Sequence, residues 1–200
     1  MTTPPVSAAE RSRSARIGAV LFRNRSWLPV PLLAAPLLIP GSQTTRGWYV
    51  ATSVILIGEL VRLAGVAAAG SVTRRRSRDV QRLVTYGIFS WLRNPLYVGN
   101  LLIWAGFVIG SGVHWFLPVA IVLFAIEYTL IVRYEEGVLE SIFGTEYVAY
   151  KQRTPRWLPM RPNSAASGEH HWGEALRSEL STFAQYAALG AAFWLKTRLL

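Results

Sequence analysis

Two short segments of this chain carry most of what could do chemistry. One holds Arg93, Asn94, Pro95 and Tyr97, the other Tyr134, Glu135 and Glu136. A pair of carboxylates receives a cationic group, and a guanidinium receives an anion. Pro95 falls where the first turn of a helix would lie, which leaves nearby backbone N–H groups unpaired and open to an anion. Brought together, the two segments form a cation site beside an anion site.

The stretch between them must do the bringing. Residues 94–126 hold no formally charged side chain when His114 is neutral. A single helix of that length would reach ~50 Å and overshoot the ~30 Å hydrocarbon core of a bilayer. Gly110-Ser111-Gly112 offers a turn, and Trp115 an interface residue. The pattern predicts a helical hairpin with spans at about 96–111 and 115–133. Arg93 and Arg133 lie equally far from Val113. Antiparallel helices of equal rise therefore place both segments at one depth, at the hairpin mouth. Arginines and glutamates at span ends often serve only as interface anchors. Convergence with a downstream tyrosine pair, Tyr147 and Tyr150, favours a site. Residues 134–143 continue the helix to Gly144, a natural stop. Thr145 can cap a second short helix that Thr154-Pro155 ends. Both helices are expected along the cytoplasmic membrane surface.

Composition supports the membrane. Hydrophobic residues make up 52% and charged residues 16%, against about 25% charged in ordinary globular proteins. Such an apolar load excludes a disordered basic tail. The net charge of +10 alone would suit a nucleic-acid binder, but nothing accompanies it that reads bases, so no nucleic-acid partner is expected. With zero Cys and three His, no metal site is expected, and disulfides and cysteine nucleophiles are excluded. No Gly-rich phosphate loop or Ser/His/Asp order is present.

Two further stretches, 26–45 and 47–70, fit spans; Pro29, Pro31, Pro36 and Pro40 in the first are tolerable in a membrane helix. An uncleaved first span is preferred over a signal peptide. The expected fold is an all-α integral membrane helical bundle of four to five transmembrane helices with short cytoplasmic surface helices. Its parts are a disordered basic cytoplasmic N-terminus (1–25), a core (26–158, with surface helices over 134–152), a linker (159–179) and a C-terminal helix (180–200). That helix is either a fifth span or tucked into the bundle. If the spans alternate, 17 of 21 basic residues fall on one side, which the positive-inside rule makes cytoplasmic. The basic run at 74–78 reads as a headgroup contact or a rim that steers anionic lipid.

The segment Gly87, Trp91-Leu92-Arg93-Asn94-Pro95-Leu96-Tyr97 and Gly99 resembles the cofactor segment of isoprenylcysteine carboxyl methyltransferases and their phospholipid-methylating relatives. Tyr134-Glu135-Glu136, Leu139, Phe143-Gly144, Tyr147, Tyr150 and Arg153-Thr154-Pro155 resemble that family's second segment, in the same order and spacing. The resemblance covers about 71–159. It departs at Asn94, where the eukaryotic enzymes have His. It implies an S-adenosylmethionine-dependent methyltransferase of the bacterial inner membrane, acting on a lipid-like or isoprenoid acceptor, with carboxylate O-methylation favoured. The implied partners are membrane lipids and an amphiphilic small molecule. On this basis Asn94, Pro95, Tyr97, Glu135 and Glu136 would bind the cofactor, with Tyr147 and Tyr150 closing over it. Arg93, the residue assigned to catalysis, would orient an anionic acceptor or the cofactor carboxylate. Glu59 and Arg62 either neutralise each other or mark the acceptor cavity, which Glu127 would also line. Two alternatives stand beside this reading. One is an NADPH-dependent membrane reductase similar to sterol reductases, which a compact cavity would disfavour. The other is a non-enzymatic helical scaffold or small channel.

Overall fold

The computed structural model describes residues 13–25, 27–70, 82–162 and 167–199; the first twelve residues and the basic run at 74–78 lie outside them. Among the described residues there are seven α-helices and no strand. They are α1 (Arg13–Asn24), α2 (Pro29–Leu38), α3 (Thr45–Ala69), α4 (Pro95–Gly110), α5 (Phe116–Phe143), α6 (Thr145–Arg153) and α7 (Trp172–Leu199), with a 3-10 turn at Gly87–Ser90. The chain is an all-α integral membrane bundle. The helices α3 and α5 are long and apolar enough to cross a bilayer, and α2 and α4 are shorter apolar helices. Leu56, Ile57 and Leu60 on α3 and Val122 and Ile126 on α5 are exposed. Outward-facing rows of this kind suit lipid contact and would be a liability in water.

The core lies between α4, α5 and α7. The Phe124 and Tyr128 rings stack at 4.0 Å, Trp104 meets Phe124 edge-on at 5.2 Å, and Phe107 stacks on Phe193 at 5.7 Å. The tightest helix pair is α3 with α4. A Cβ placed on Gly58 would come within 2.7 Å of the Gly99 carbonyl, and one on Gly106 within 2.9 Å of the Ala51 carbonyl. Small residues thus let two backbones approach, the usual basis of helix packing in lipid.

The hairpin forms from α4 and α5 as the sequence suggests, with Gly112 in the left-handed region (φ 74°) at the turn. Helix α5 stops at Gly144 (φ 53°). Thr145 begins α6 but makes no side-chain cap. Three expectations need correction. Residues 13–24 of the expected disordered tail form α1, an amphipathic helix that packs on α5 with the Phe22 and Tyr134 rings 5.8 Å apart. No proline interrupts that segment, and its one glycine, Gly18, sits where a side chain would strike the Leu130 carbonyl. Between residues 27 and 44 the chain is helical only over the ten residues of α2, about 15 Å long, half a bilayer core. Pro40 cannot donate to the Pro36 carbonyl, and Ile39 is already extended. The stretch 159–179 is not all linker, because α7 begins at Trp172.

Helix α7 runs the height of the bundle. At one end the His171 N–H donates to the Ala67 carbonyl (2.8 Å). At the other, the buried Lys196 amine donates to the carbonyls of Pro36 (2.7 Å) and Ser111 (3.2 Å). The Pro36 carbonyl is the one that Pro40 leaves without its helical partner.

Candidate functional site

The hairpin mouth gathers the two segments that carry the chemistry. Tyr97 donates its hydroxyl to the Glu135 carboxylate at 2.7 Å. Arg93 donates Nη2 and Nε to Glu136 at 2.8 and 3.1 Å. The side chains opposite one another differ from the sequence-based register by about one turn, since Arg93 faces Glu136 where Arg133 was expected. The loop between the helices runs from Ser111 to Trp115 and is centred on Val113, as the sequence suggests.

Glu136 is shared. Arg156 donates to the same carboxylate at 2.5 and 3.1 Å, and the Glu136 side chain is 8% exposed. Arg93 also donates Nη1 to the carbonyls of Thr154 (2.6 Å) and Lys151 (2.9 Å). Of the five N–H donors on a guanidinium, Arg93 thus commits four to its own chain. Its backbone N–H takes the Pro155 carbonyl (2.9 Å), and Asn94 donates Nδ2 to the Arg156 carbonyl (3.1 Å) in place of capping α4. Arg93, Glu136 and Arg156 therefore form a clamp, exposed only on its Arg156 side, that straps 151–156 against the start of α4. Opposite charges held this way stabilise only while every partner stays in place.

Tyr147 and Tyr150 hang from α6, both buried. Tyr150 donates its hydroxyl to the Phe89 carbonyl at 2.7 Å. Burial pushes both phenols above the usual tyrosine range, and for Tyr147 the nearby Glu136 carboxylate adds to it.

A cavity of about 1090 Å³ opens beside the mouth and runs between α2, α4 and α7. It slightly exceeds the usual upper size of a small-molecule site of roughly 1,000 Å³. Arg93, Asn94, Pro95, Tyr97, Glu135, Tyr147 and Tyr150 all line it. Glu136 does not; it faces its two arginines. Arg62 lines the deeper part, where Nη2 donates to Glu179 at 3.1 and 3.2 Å, Nη1 donates to Asn100, and Nε lies 3.4 Å from Glu59. The expected Glu59–Arg62 couple is therefore part of a larger cluster. Glu127 is absent from the cavity lining, and its buried Oε2 has no hydrogen-bond partner; α5 turns it away from the chamber that it was expected to line.

Sequence reasoning missed Arg25, Asn100, Arg156 and Glu179. Asn100 follows Tyr97 by one helical turn and could have been found from that spacing. Glu179 fell in the expected linker. Arg25 and Arg156 stand in basic stretches that read as orientation signals.

A helical membrane bundle enclosing a ligand-sized cavity with a charged mouth defines the class of protein. The chain belongs to the phospholipid methyltransferase family, whose description matches residues 47–146, half of the chain. It is similar to the protein-S-isoprenylcysteine O-methyltransferase of Mus musculus, 35% identical over 122 residues, 56% of this chain and 42% of that relative. It is also similar to protein-S-isoprenylcysteine O-methyltransferase B of Arabidopsis thaliana, 29% identical over 138 residues, 64% of this chain and 67% of that relative. A probable protein-S-isoprenylcysteine O-methyltransferase of Oryza sativa subsp. indica is 34% identical over 119 residues, 56% of this chain and 60% of that relative. The chain thus spans less than half the length of the mouse relative. No solved structure matches this chain significantly.

Proposed function

We propose that this protein transfers a methyl group from S-adenosylmethionine to a lipid-like or isoprenoid acceptor, with a carboxylate the favoured methyl-receiving group. The reaction would take place at the cytoplasmic face of a bacterial inner membrane, the face that carries most of the arginines. One observation carries the reading: a single cavity joins the Tyr97–Glu135 corner to an apolar wall supplied by Leu33 and Leu37 of α2 and Leu189 of α7. A charged, nucleoside-bearing donor and an amphiphilic acceptor need such a chamber together. Family membership, rather than cavity size, separates this reading from the reductase alternative.

The residues fit the donor. Glu135 offers a carboxylate to a cationic group and Tyr97 orients it. Asn94 and Pro95 shape the adjoining wall, and Tyr147 and Tyr150 cover it as neutral rings. S-adenosylmethionine supplies an electrophilic methyl on a sulfonium. In-line displacement asks the protein for orientation and exclusion of water more than for acid or base groups. A carboxylate acceptor is already a nucleophile and needs no general base. Glu136 and Arg93 act in this reading as positioning residues that hold the 151–156 strap and the start of α4 in register. Arg62, with Glu59 beside it, faces the acceptor part of the chamber.

The test is direct. Purified protein is incubated with methyl-labelled donor and a bacterial membrane lipid extract, and the labelled product is identified. A base-labile methyl ester on an amphiphilic acid is the expected product. No label transfer by protein that binds S-adenosylhomocysteine contradicts the reading.

A further inference from the structure

Every arginine on the cavity wall but one is held by acceptors of its own chain among the described residues. Arg93 is committed to Glu136 and two carbonyls, Arg62 to Glu179, Asn100 and Glu59, and Arg82 donates to the Tyr86 hydroxyl at 2.7 Å. Arg25 is the exception. It stands at the break between α1 and α2, outside the family-matched residues, with its guanidinium 4.0 Å above the Phe22 ring. Its Nη1 is buried and has no hydrogen-bond partner. Among the described residues no carboxylate is paired with it, although it lines the same cavity as Glu135 and lies close enough to interact electrostatically with Glu135 and Tyr97. A buried donor left unmet is unfavourable, so the site is built to receive an acceptor atom from elsewhere. Glu135 takes one hydroxyl, from Tyr97, and an ionised carboxylate has lone pairs for more. The two side chains therefore present opposite charges to one chamber without meeting each other.

We propose that Arg25 and Glu135 together hold a zwitterionic amino-acid group, the carboxylate on Arg25 and the ammonium on Glu135, and that this group is the amino-acid end of the methyl donor. The inference rests on the donor reading above and assigns to Arg25 the anion-binding role that Arg93, being engaged, does not fill. A guanidinium and a carboxylate give charge-assisted bonds to both ends of such a group. The Phe22 ring fixes the guanidinium plane before the ligand arrives.

The test uses calorimetry on the full chain in detergent micelles with two ligands. S-adenosylhomocysteine carries the amino-acid end; 5′-methylthioadenosine has the same nucleoside without it. The wild-type protein is expected to bind the former at least ~10-fold more tightly, and Arg25→Gln to lose that preference while its affinity for the latter stays unchanged; Arg25→Lys keeps the charge without the fork and should fall between. Equal weakening of both ligands overturns the assignment, because it marks a structural role. Unchanged S-adenosylhomocysteine affinity also overturns it; if the KM for an acceptor then rises, the guanidinium serves the acceptor's anion instead. A wild-type protein that binds neither ligand overturns the donor reading and this inference with it. Should Arg25→Gln fail to fold, decarboxylated S-adenosylhomocysteine reads the same contact on the wild type, and binding equal to the parent compound overturns the proposal.

Discussion

Arg93 and Arg62 are both clasped by carboxylates, but one closes a strap and the other walls a chamber. At the mouth, Glu136 sits between Arg93 and Arg156, and Arg93 also satisfies two carbonyls of the strap. In the deeper chamber, Arg62 draws on Glu59 of its own helix, Asn100 of α4 and Glu179 of α7. The mouth has one carboxylate for two guanidinium groups, so loss of that carboxylate strands the nearly buried Arg93 and leaves the partly exposed Arg156 without its partner. The deeper cluster has two carboxylates for one guanidinium, so each is partly backed up by the other. A buried ion pair is thus worth little as a label; the ratio of partners decides what its loss does.

The largest effect expected from this contrast is that of Glu136→Gln. Removing one partner of a buried pair costs about 3–5 kcal/mol, and here the strap and the Tyr150 contact should loosen with it. Thermal unfolding in detergent should show a large drop in Tm together with lost S-adenosylhomocysteine binding. Glu179→Gln should cost less, about 1–3 kcal/mol, since Arg62 keeps Glu59 and Asn100. If it matches Glu136→Gln, the contrast fails. A double-mutant cycle of Glu59→Gln with Glu179→Gln sharpens the point: the double variant should lose more than the two singles combined.

Tyr97→Phe comes next. It removes one hydroxyl from Glu135 and should cost about 1.5–3 kcal/mol by the usual range for a bond to a charged group. Its mark is weakened donor binding with the strap intact, read from calorimetry and from unchanged proteolysis of 151–160. The smallest effect concerns pH. Burial raises the phenols of Tyr147 and Tyr150 above their ordinary value. Unfolded tyrosines ionise near pH ~10, so the stability the two rings contribute is complete below that value and is lost as pH climbs toward their raised folded values. Unfolding midpoints measured up the alkaline range should fall, and should fall less in Tyr147→Phe. An identical fall in that variant contradicts the role given to its ring.

The mouth was legible in the sequence because it depends on few variables. Two charged segments flank a charge-free stretch with a Gly-Ser-Gly turn, and equal rise does the rest. The family resemblance singled out the same residues. Composition likewise pointed to a helical membrane bundle. The deeper chamber was far less legible, because its parts come from helices with no shared pattern. Glu179 is 117 positions from Arg62, and the polar stretch before it reads as a linker. Prolines hid the true length of α2, since sequence tolerance for proline in lipid does not say where a helix ends. Arginines before and after the core read as orientation signals, which concealed that Arg25 and Arg156 also have partners to find. Glu127 failed for a simpler reason: the face of a long apolar helix cannot be assigned without its neighbours.

The central claim is that the Tyr97–Glu135 corner of the cavity holds the methyl donor. Photo-crosslinking of labelled S-adenosylmethionine to the purified protein, followed by mapping of the labelled peptide, tests it most directly. The account predicts label on the peptides that carry Tyr97 or Tyr134-Glu135, abolished by excess S-adenosylhomocysteine. Label confined to other peptides, or label that S-adenosylhomocysteine does not displace, contradicts it.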